Sequence, residues 1–391
     1  MDATLEKIDL NNLDKSSWKT YRFDEIAEKI SKTVKPEESN VDVYIGLEHI
    51  DGEDIHIHRT GKPSDVKGGK LRCYPGDVIF GKRRAYQRKA AIVDFEGICS
   101  AHAFVLRANS EVINPKLFPF FLHSDQFMHR MVDISVGGLS PTINWGDLKQ
   151  QKFLLPSKAE QAQLTKLLFI SDELVESEKK VNELISINLQ VAQKTLFDKE
   201  IFSRTKLSNY SNVLGGFAFS SSSFISKGIP VVKIKNIVKG NILIKDELNY
   251  VAPLDGDRKM AKYFLSQDDI LIAMTGATLG KIGKVQKKYD GALLNQRVGK
   301  FQFKKAVNPW CMRGILDSNL FRHELNKYIG EGAQGNISSD GILKIQVPKL
   351  SEIEMEKIGD KFKKLYESKK VSVVKISKSK ELLKTLINQV F

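Results

Sequence analysis

A chain of 391 residues exceeds what one ordinary compact core organises, so two domains with connecting elements are expected. Its formal charge of +14, from 61 Lys and Arg against 47 Asp and Glu, suits a polyanion or an acidic surface, and 41% apolar content suits a folded protein. Three cysteines, Cys73, Cys99 and Cys311, without a C-x-x-C spacing speak against a zinc ribbon or redox pair and for a reduced, cytoplasmic setting. The polar Met1 to Leu10 segment reads as neither signal peptide nor anchor, and the most apolar stretch, Leu117 to Leu122, is too short for a bilayer, so a soluble chain without a membrane partner is expected. The charge is uneven: residues 1–156 carry 22 basic and 22 acidic side chains, whereas 201–351 carry 23 and 11.

In chain order, the first half opens with β-rich runs at Val43 to Ile50 and Asp77 to Gly81, separated by glycine-containing turns. Between them His56 and His58 have the spacing of ligands on one strand face. No nearby Cys or Asp completes a set at a familiar spacing, so surface histidines and no metal are expected. After the second strand comes Lys82-Arg83-Arg84-Ala85-Tyr86-Gln87-Arg88-Lys89, with five cations in eight residues. Arg suits guanine and Gln suits adenine in a major groove, and the remaining cations suit phosphates. Lys82, Arg83, Arg84, Tyr86, Gln87 and Arg88 are therefore candidate contacts, with a solvated charged loop as the alternative. Ser100 and His102 are too close in sequence for triad geometry. Pro115 to Val132 reads as helical, and a polar cluster with Ser140, Thr142, Asn144 and Trp145 follows it, suited to base edges and equally to turns.

Past Pro156 a polar, Glu-bearing start opens a long helix in which Leu164, Leu168, Val175, Ile185, Leu189, Ala192 and Leu196 keep coiled-coil spacing, broken by Ser171, Glu178 and Asn182. The second half brings strand-like runs at Ile229 to Ile237, Asp269 to Met274 and Gly299 to Phe303, then helical sequence from Asn308 to Ile329. Lys233, Lys235 and Asn236 near a strand end, and Arg297 after Asn295 and Gln296, are further candidate contacts. Thr275-Gly276-Ala277-Thr278-Leu279-Gly280-Lys281-Ile282-Gly283 invites a phosphate-loop reading. It has three rather than four residues before the Gly-Lys pair, and Ile282 where a hydroxyl should meet magnesium. A turn bringing Thr275, Thr278 and Lys281 to a nucleic-acid strand fits better, with a purely structural hairpin as the alternative. Gln334, Asn336, Ser338 and Ser339 form a second polar cluster. After Pro348, Met355, Ile358, Phe362, Leu365, Ile376, Leu383, Leu386 and Val390 mark a second long helix, with Lys369, Ser372 and Ser379 filling the gaps. The two helices are expected to pack on each other, the alternative being that each packs on its own globular domain.

These elements repeat with a period of roughly 192 to 194 residues. Tyr74-Pro75-Gly76-Asp77-Val78-Ile79 answers to Ser266-Gln267-Asp268-Asp269-Ile270-Leu271, and Ile143-Asn144-Trp145-Gly146-Asp147-Leu148 to Ile337-Ser338-Ser339-Asp340-Gly341-Ile342. A shared order at a near-constant offset indicates duplication. It also places two different polar segments, Lys82 to Lys89 and Thr275 to Lys281, at one repeat position.

The repeated strands, the Thr-Gly-Ala-Thr-Leu-Gly-Lys turn, the Ile143 to Leu148 segment and Gly228-Ile229-Pro230-Val231-Val232-Lys233-Ile234 together resemble the specificity subunit of a type I restriction-modification enzyme, over nearly the whole chain. The resemblance implies an α+β fold with two tandem α/β target-recognition domains, residues 1–156 and 203–350. Two long conserved helices, 157–202 and 351–391, would separate them and form an antiparallel coiled coil with pseudo-two-fold symmetry. It implies double-stranded DNA as ligand, each domain reading half of a split site, with the helix acting as a ruler for the spacer. The partners it implies are two modification (methyltransferase) subunits carrying S-adenosylmethionine and restriction/translocase subunits driven by ATP. The chain itself is expected to be non-catalytic and without cofactor. The first half departs from the Thr-Gly-x-Thr-x-Gly-Lys pattern, as two domains with different targets should. A solitary DNA-binding specificity protein, a coiled-coil scaffold with nucleic-acid-binding domains and an enzyme with an unannounced site are the competing readings.

Overall fold

The computed structural model describes residues 13–198, 200–238, 241–242, 249–253, 259–329 and 335–391. They form two compact units, Met1–Lys179 with Val374–Phe391, and Lys180–Val373. Each unit contains sheets, a pair of short helices and one end of each long helix.

In the first unit an antiparallel sheet orders Ala27–Ile30, Ala103–Ala108, Val78–Gly81 and Ala90–Ile92. A second sheet orders Thr33–Val34, Lys70–Cys73, Gly97–Cys99 and Tyr44–Ile45, the last pair parallel. Lys19–Arg22 and Lys152–Leu155 make a separate ribbon. In the second unit, Ser211–Gly215, Val298–Phe303, Ile270–Ala273 and Ile282–Lys284 reproduce the first arrangement, extended by Asn241–Ile242 and Ile237–Val238. Phe224–Ile225, Asn249–Val251, Ile229–Val232 and Leu293–Leu294 form its second sheet, and Arg204–Lys206 with Gln346–Pro348 its ribbon.

The repeat is visible in the hydrogen bonds. Asp77 accepts from the Tyr74 N–H at 3.0 Å and pairs with Arg107 at 2.8 Å; Asp269 accepts from the Ser266 N–H at 2.8 Å and pairs with Lys300 at 2.9 Å. The turn before each strand needs a left-handed residue, and Gly76 (φ 90°) and Asp268 (φ 73°) supply it.

The helical stretches Pro115 to Val132 and Asn308 to Ile329 are each two helices, Phe118–His123 with Asp125–Asp133 and Pro309–Leu316 with Asn319–Asn326. The break falls at Ser124 and Ser318, whose hydroxyls accept the N–H three residues on, at 3.2 and 3.0 Å, and donate to the carbonyl three residues back. Two expected strands are also shorter than the sequence suggested. Val43 to Ile50 yields only Tyr44–Ile45, because the His49 ring accepts the Gly46 N–H at 3.1 Å and turns the chain. Ile229 to Ile237 is interrupted where Asn236 Oδ1 accepts the Lys233 N–H at 2.9 Å.

The long helices run Lys158–Leu196 and Glu352–Val390, 39 residues each and about 58 Å at 1.5 Å per residue. Capping boxes start both: Ser157 with Glu160, and Ser351 with Glu354. Within the first unit, Leu164 and Leu168 near the start of the central helix share a core with Ile387 and Val390 at the end of the C-terminal helix. Within the second, Leu189, Ala192 and Leu196 share a core with Met355 and Phe362. The same cores include the globular elements, so each helix end is buried in the core of its own unit. In the first unit Phe23, Phe121, Phe127 and Phe153 stack edge to face or tilted, 5.2 to 6.1 Å apart. Each fully buried ring contributes about 1.5–3 kcal/mol. Among the described residues no helix is long and apolar enough to cross a membrane.

Candidate nucleic-acid interface

In each unit the polar segment singled out in the sequence is the tip of a hairpin. In the first, Val78–Gly81 and Ala90–Ile92 pair, and the tip holds a 3-10 turn, Ala85–Gln87. Arg84 (φ 57°) and Arg88 (φ 52°) flank it in the left-handed region, where a β-carbon costs energy, and buried Ala85 anchors it. The polar cluster after the paired helices docks on this tip. Arg83 and Thr142 form an isolated antiparallel bridge, with the Arg84 N–H donating to Pro141 O at 2.8 Å and the Ile143 N–H to Lys82 O at 2.9 Å. Arg84 Nε also donates to Ser140 Oγ at 3.2 Å.

Arg83, Arg84, Tyr86, Gln87 and Asn144 are exposed on this surface, and Lys82 and Thr142 are half-buried. The Lys82 ammonium lies over the Phe104 ring, and its burial, with Lys29 nearby, lowers its pKa. Arg88 is a correction, because its side chain does not stand outward with these. Its guanidinium is 2.7 Å from Asp125 and 3.3 Å from Glu53 and donates to His123 O at 2.7 Å, so its charge fastens the hairpin to the domain. Sequence reasoning passed over Leu139, which is 97% exposed in the loop that carries Ser140 and Thr142. A leucine between Gly137-Gly138 and Ser140-Pro141 was the available signal.

In the second unit Ile270–Ala273 and Ile282–Lys284 pair, and the glycine-rich segment is the hairpin tip, with a 3-10 turn at Gly276–Thr278. The segment runs on into a strand, not a helix N-terminus, which removes the anion cradle that a phosphate loop needs. Gly276 (φ 71°) and Gly280 (φ 76°) permit the turn. Here Thr275 and Asn336 form the isolated bridge, with the Ile337 N–H donating to Met274 O at 3.0 Å. The Met274 N–H donates to Arg297 O at 3.0 Å, which brings Arg297 to the same edge.

Asn336 and Arg297 are exposed, and Thr275, Thr278 and Lys281 are half-buried. The Thr278 hydroxyl is buried without a partner among the described residues. Gln334 lies outside the described residues. Asn236 is a correction: it is 6% exposed and its side chain closes the turn at Lys233, so it is committed to structure. The turn it closes nonetheless abuts the tip, since a β-carbon on Gly276 would touch Ile234 at 3.7 Å. Lys233 lies over the Phe224 ring at 3.8 Å, its pKa lowered by burial and by Lys235, which is exposed.

The two units thus build one device twice: a hairpin tip bridged by backbone to the loop that starts the next short helix, with polar side chains standing outward. Residues 15–186 match the family described as the type I restriction modification DNA specificity domain. The MjaVIII type I restriction enzyme specificity subunit of Methanocaldococcus jannaschii is 27% identical over 260 residues, covering 60% of this chain and 61% of its own. The chain is similar to type I restriction-modification specificity subunits, and residues 15–186 match their DNA specificity domain. A further relative, the EcoDI type I restriction enzyme specificity subunit of Escherichia coli, is 26% identical over 176 residues, covering 44% of this chain and 38% of its own. The matches therefore span less than two thirds of these relatives. The fold is that of the S subunit of a type I restriction-modification system from M. genitalium, with a TM-score of 0.59 at 15% identity over 97% of this chain and 98% of that one. A chain from a structural study of complex assembly and conformational transition in a type I system has a TM-score of 0.53 at 17% identity, over 96% and 97%.

Proposed function

We propose that this chain reads a bipartite double-stranded DNA site in the cytoplasm and has no catalytic step of its own. Adenine methylation would be supplied by two modification subunits and cleavage by restriction subunits of a type I complex. In this reading residues 1–156 and 203–350 are the target-recognition domains, and 157–202 and 351–391 the conserved helices. The observation that carries it is the backbone bridge, Arg83 to Thr142 and Thr275 to Asn336, which presents two different polar sets from one frame. Arg83, Arg84 and Gln87 have donors suited to base edges and phosphates in the first domain, and Thr275, Arg297 and Asn336 in the second.

A partner helix has a face to meet. Val181, Leu184, Ile187 and Val191 stand 46 to 58% exposed on the central helix at three- and four-residue steps. An apolar stripe at that spacing is suited to knobs-into-holes packing.

Replacing Lys82, Arg83 and Arg84 together by Ala tests the reading. In a fluorescence-anisotropy titration on a duplex carrying the cognate site, the affinity should fall, and the slope of log K against log salt should lose about 0.9 for each phosphate contact removed. Full affinity with an unchanged slope would place DNA elsewhere.

A further inference from the structure

The histidine pair at 56 and 58 belongs to a larger cluster in the first unit that DNA reading leaves unused. Asp54, His56 and His58 face Asp172, Glu176 and Lys179 on the central helix. His56 Nε2 is 2.7 Å from Asp172 Oδ2. Two turns further along the helix, Lys179 Nζ is 2.6 Å from Asp54 Oδ2, 2.6 Å from Glu176 Oε1 and 3.5 Å from His58 Nε2. Three anionic or lone-pair donors thus converge on one cationic centre.

Their geometry is that of a ligand set. One donor atom each from Asp54, His58 and Glu176 lies within 4.8 Å of the others. Asp54 Oδ2 and His58 Nε2 already stand 3.3 Å apart, about the edge of a tetrahedron with metal-ligand arms of ~2.0 Å. Asp54 is 8% exposed and its other oxygen accepts the His56 N–H at 3.0 Å, so its position is fixed. The cluster opens on a cavity of about 380 Å³ lined by Asp54, Glu176, Lys179 and His123. His123 is 6% exposed, and its Nδ1 has no partner among the described residues. Its Nε2 donates to Ala90 O at 2.7 Å.

We propose that Asp54, His58 and Glu176 form a binding site for a divalent transition ion of the Zn2+ class, and that the Lys179 ammonium is the occupant such an ion displaces. One nitrogen and two carboxylate oxygens, with a fourth position open to the cavity, are a known ligand combination for zinc. The ion carries one charge more than the ammonium, so the same two carboxylates hold it more strongly. Lys179, at the rim with a quarter of its side chain exposed, has solvent to swing into. An ion there would tie the loop of Asp54 to the central helix, and nothing in this proposal depends on DNA binding.

The experiment is calorimetric titration of the full chain with Zn2+, and Co2+ titration read by visible absorption. A single ion per chain with an intense tetrahedral Co2+ band is expected, lost in His58→Gln and in Glu176→Gln. Lys179→Gln should bind tighter, by roughly tenfold or more, because no ammonium competes for the carboxylates. His56→Gln breaks the neighbouring pair yet should bind as the parent does. The proposal is overturned if the parent and Lys179→Gln both fail to bind, if His58→Gln binds normally, or if His56→Gln loses binding as fully as His58→Gln.

Discussion

The two units share a frame and differ at its edge. Asp77 with Arg107 and Asp269 with Lys300, the hydroxyls of Ser124 and Ser318, the capping boxes at Ser157 and Ser351, and the bridges at Arg83 and Thr275 occupy matching places. The hairpin tips do not match: one carries Lys82, Arg83, Arg84, Tyr86 and Gln87, the other Thr275, Gly276, Thr278 and Lys281. The cores also reach one volume by different routes. Phe120 in the first unit stands where the second has Gly314, and Leu168 where it has Phe362. A β-carbon on Gly314 would lie 2.4 Å from the Phe362 ring, so the bulk has moved from the short helix to the long one. Duplicated halves keep what holds the tip and are free in what the tip displays.

That contrast can be broken most forcefully in the cores. Phe120→Ala should destabilise the first unit by about 3–5 kcal/mol, and Gly314→Ala the second by about 1–3 kcal/mol through overpacking. Hydrogen exchange read separately over each unit would show the loss confined to the mutated one; a shared loss would mean the units do not unfold independently. Next come the frame carboxylates. Asp77 has a side chain 0% exposed and holds Arg107 through two oxygens, whereas Asp269 is 21% exposed beside one lysine. Asp77→Asn should cost about 2–3 kcal/mol and Asp269→Asn about 1 kcal/mol in denaturant midpoints; equal costs would show that burial does not set the difference.

A subtler asymmetry is in pH. His123 occupies the place that Asp317 holds in the second unit. Its burial, with Arg88 near, pushes its pKa below the ordinary value of 6.5. Between the folded and unfolded pKa the unfolded chain binds more protons, so this contribution is complete above about pH 6.5 and is lost as pH falls through the folded value. His123 should therefore weaken the first unit as pH falls below about 6.5, against the opposite contribution of His56, whose pKa Asp172 raises, and His123→Gln should remove the weakening part. An acid response of the first unit unchanged by His123→Gln would refute the assignment. The smallest effect on stability belongs to Leu139→Ala, within about 0.5 kcal/mol because the side chain is exposed. If the tip lies on DNA, this variant should still weaken binding, since an exposed leucine there has a thymine methyl or a base step to meet.

The sequence displays the repeat, the hairpin strands and both long helices because each rests on local pattern: period-two runs, three-and-four steps, Ser-x-x-Glu starts. It also names the two segments that the fold brings together at each tip, although they are some 60 residues apart, because both had polar composition at matching repeat positions. What it conceals depends on partners distant in the chain. Arg88 looks like its neighbours until Glu53 and Asp125 are seen to hold it. Asn236 looks like a base reader until its side chain is found closing a turn. The histidine pair looked incomplete because Glu176 arrives from the central helix, 118 residues after His58. The breaks at Ser124 and Ser318 hide in otherwise helical composition, since one hydroxyl ends the first helix and caps the second.

A main-chain pair makes no demand on the identity of the side chains at its two ends. Positions 83, 142, 275 and 336 are held opposite one another by the amides and carbonyls of their neighbours, so inheritance is free to rewrite their side chains one at a time without refolding the domain around them. A lineage built this way diversifies what it recognises at the cost of ordinary surface substitutions, and the two halves can drift toward different vocabularies while remaining the same machine part.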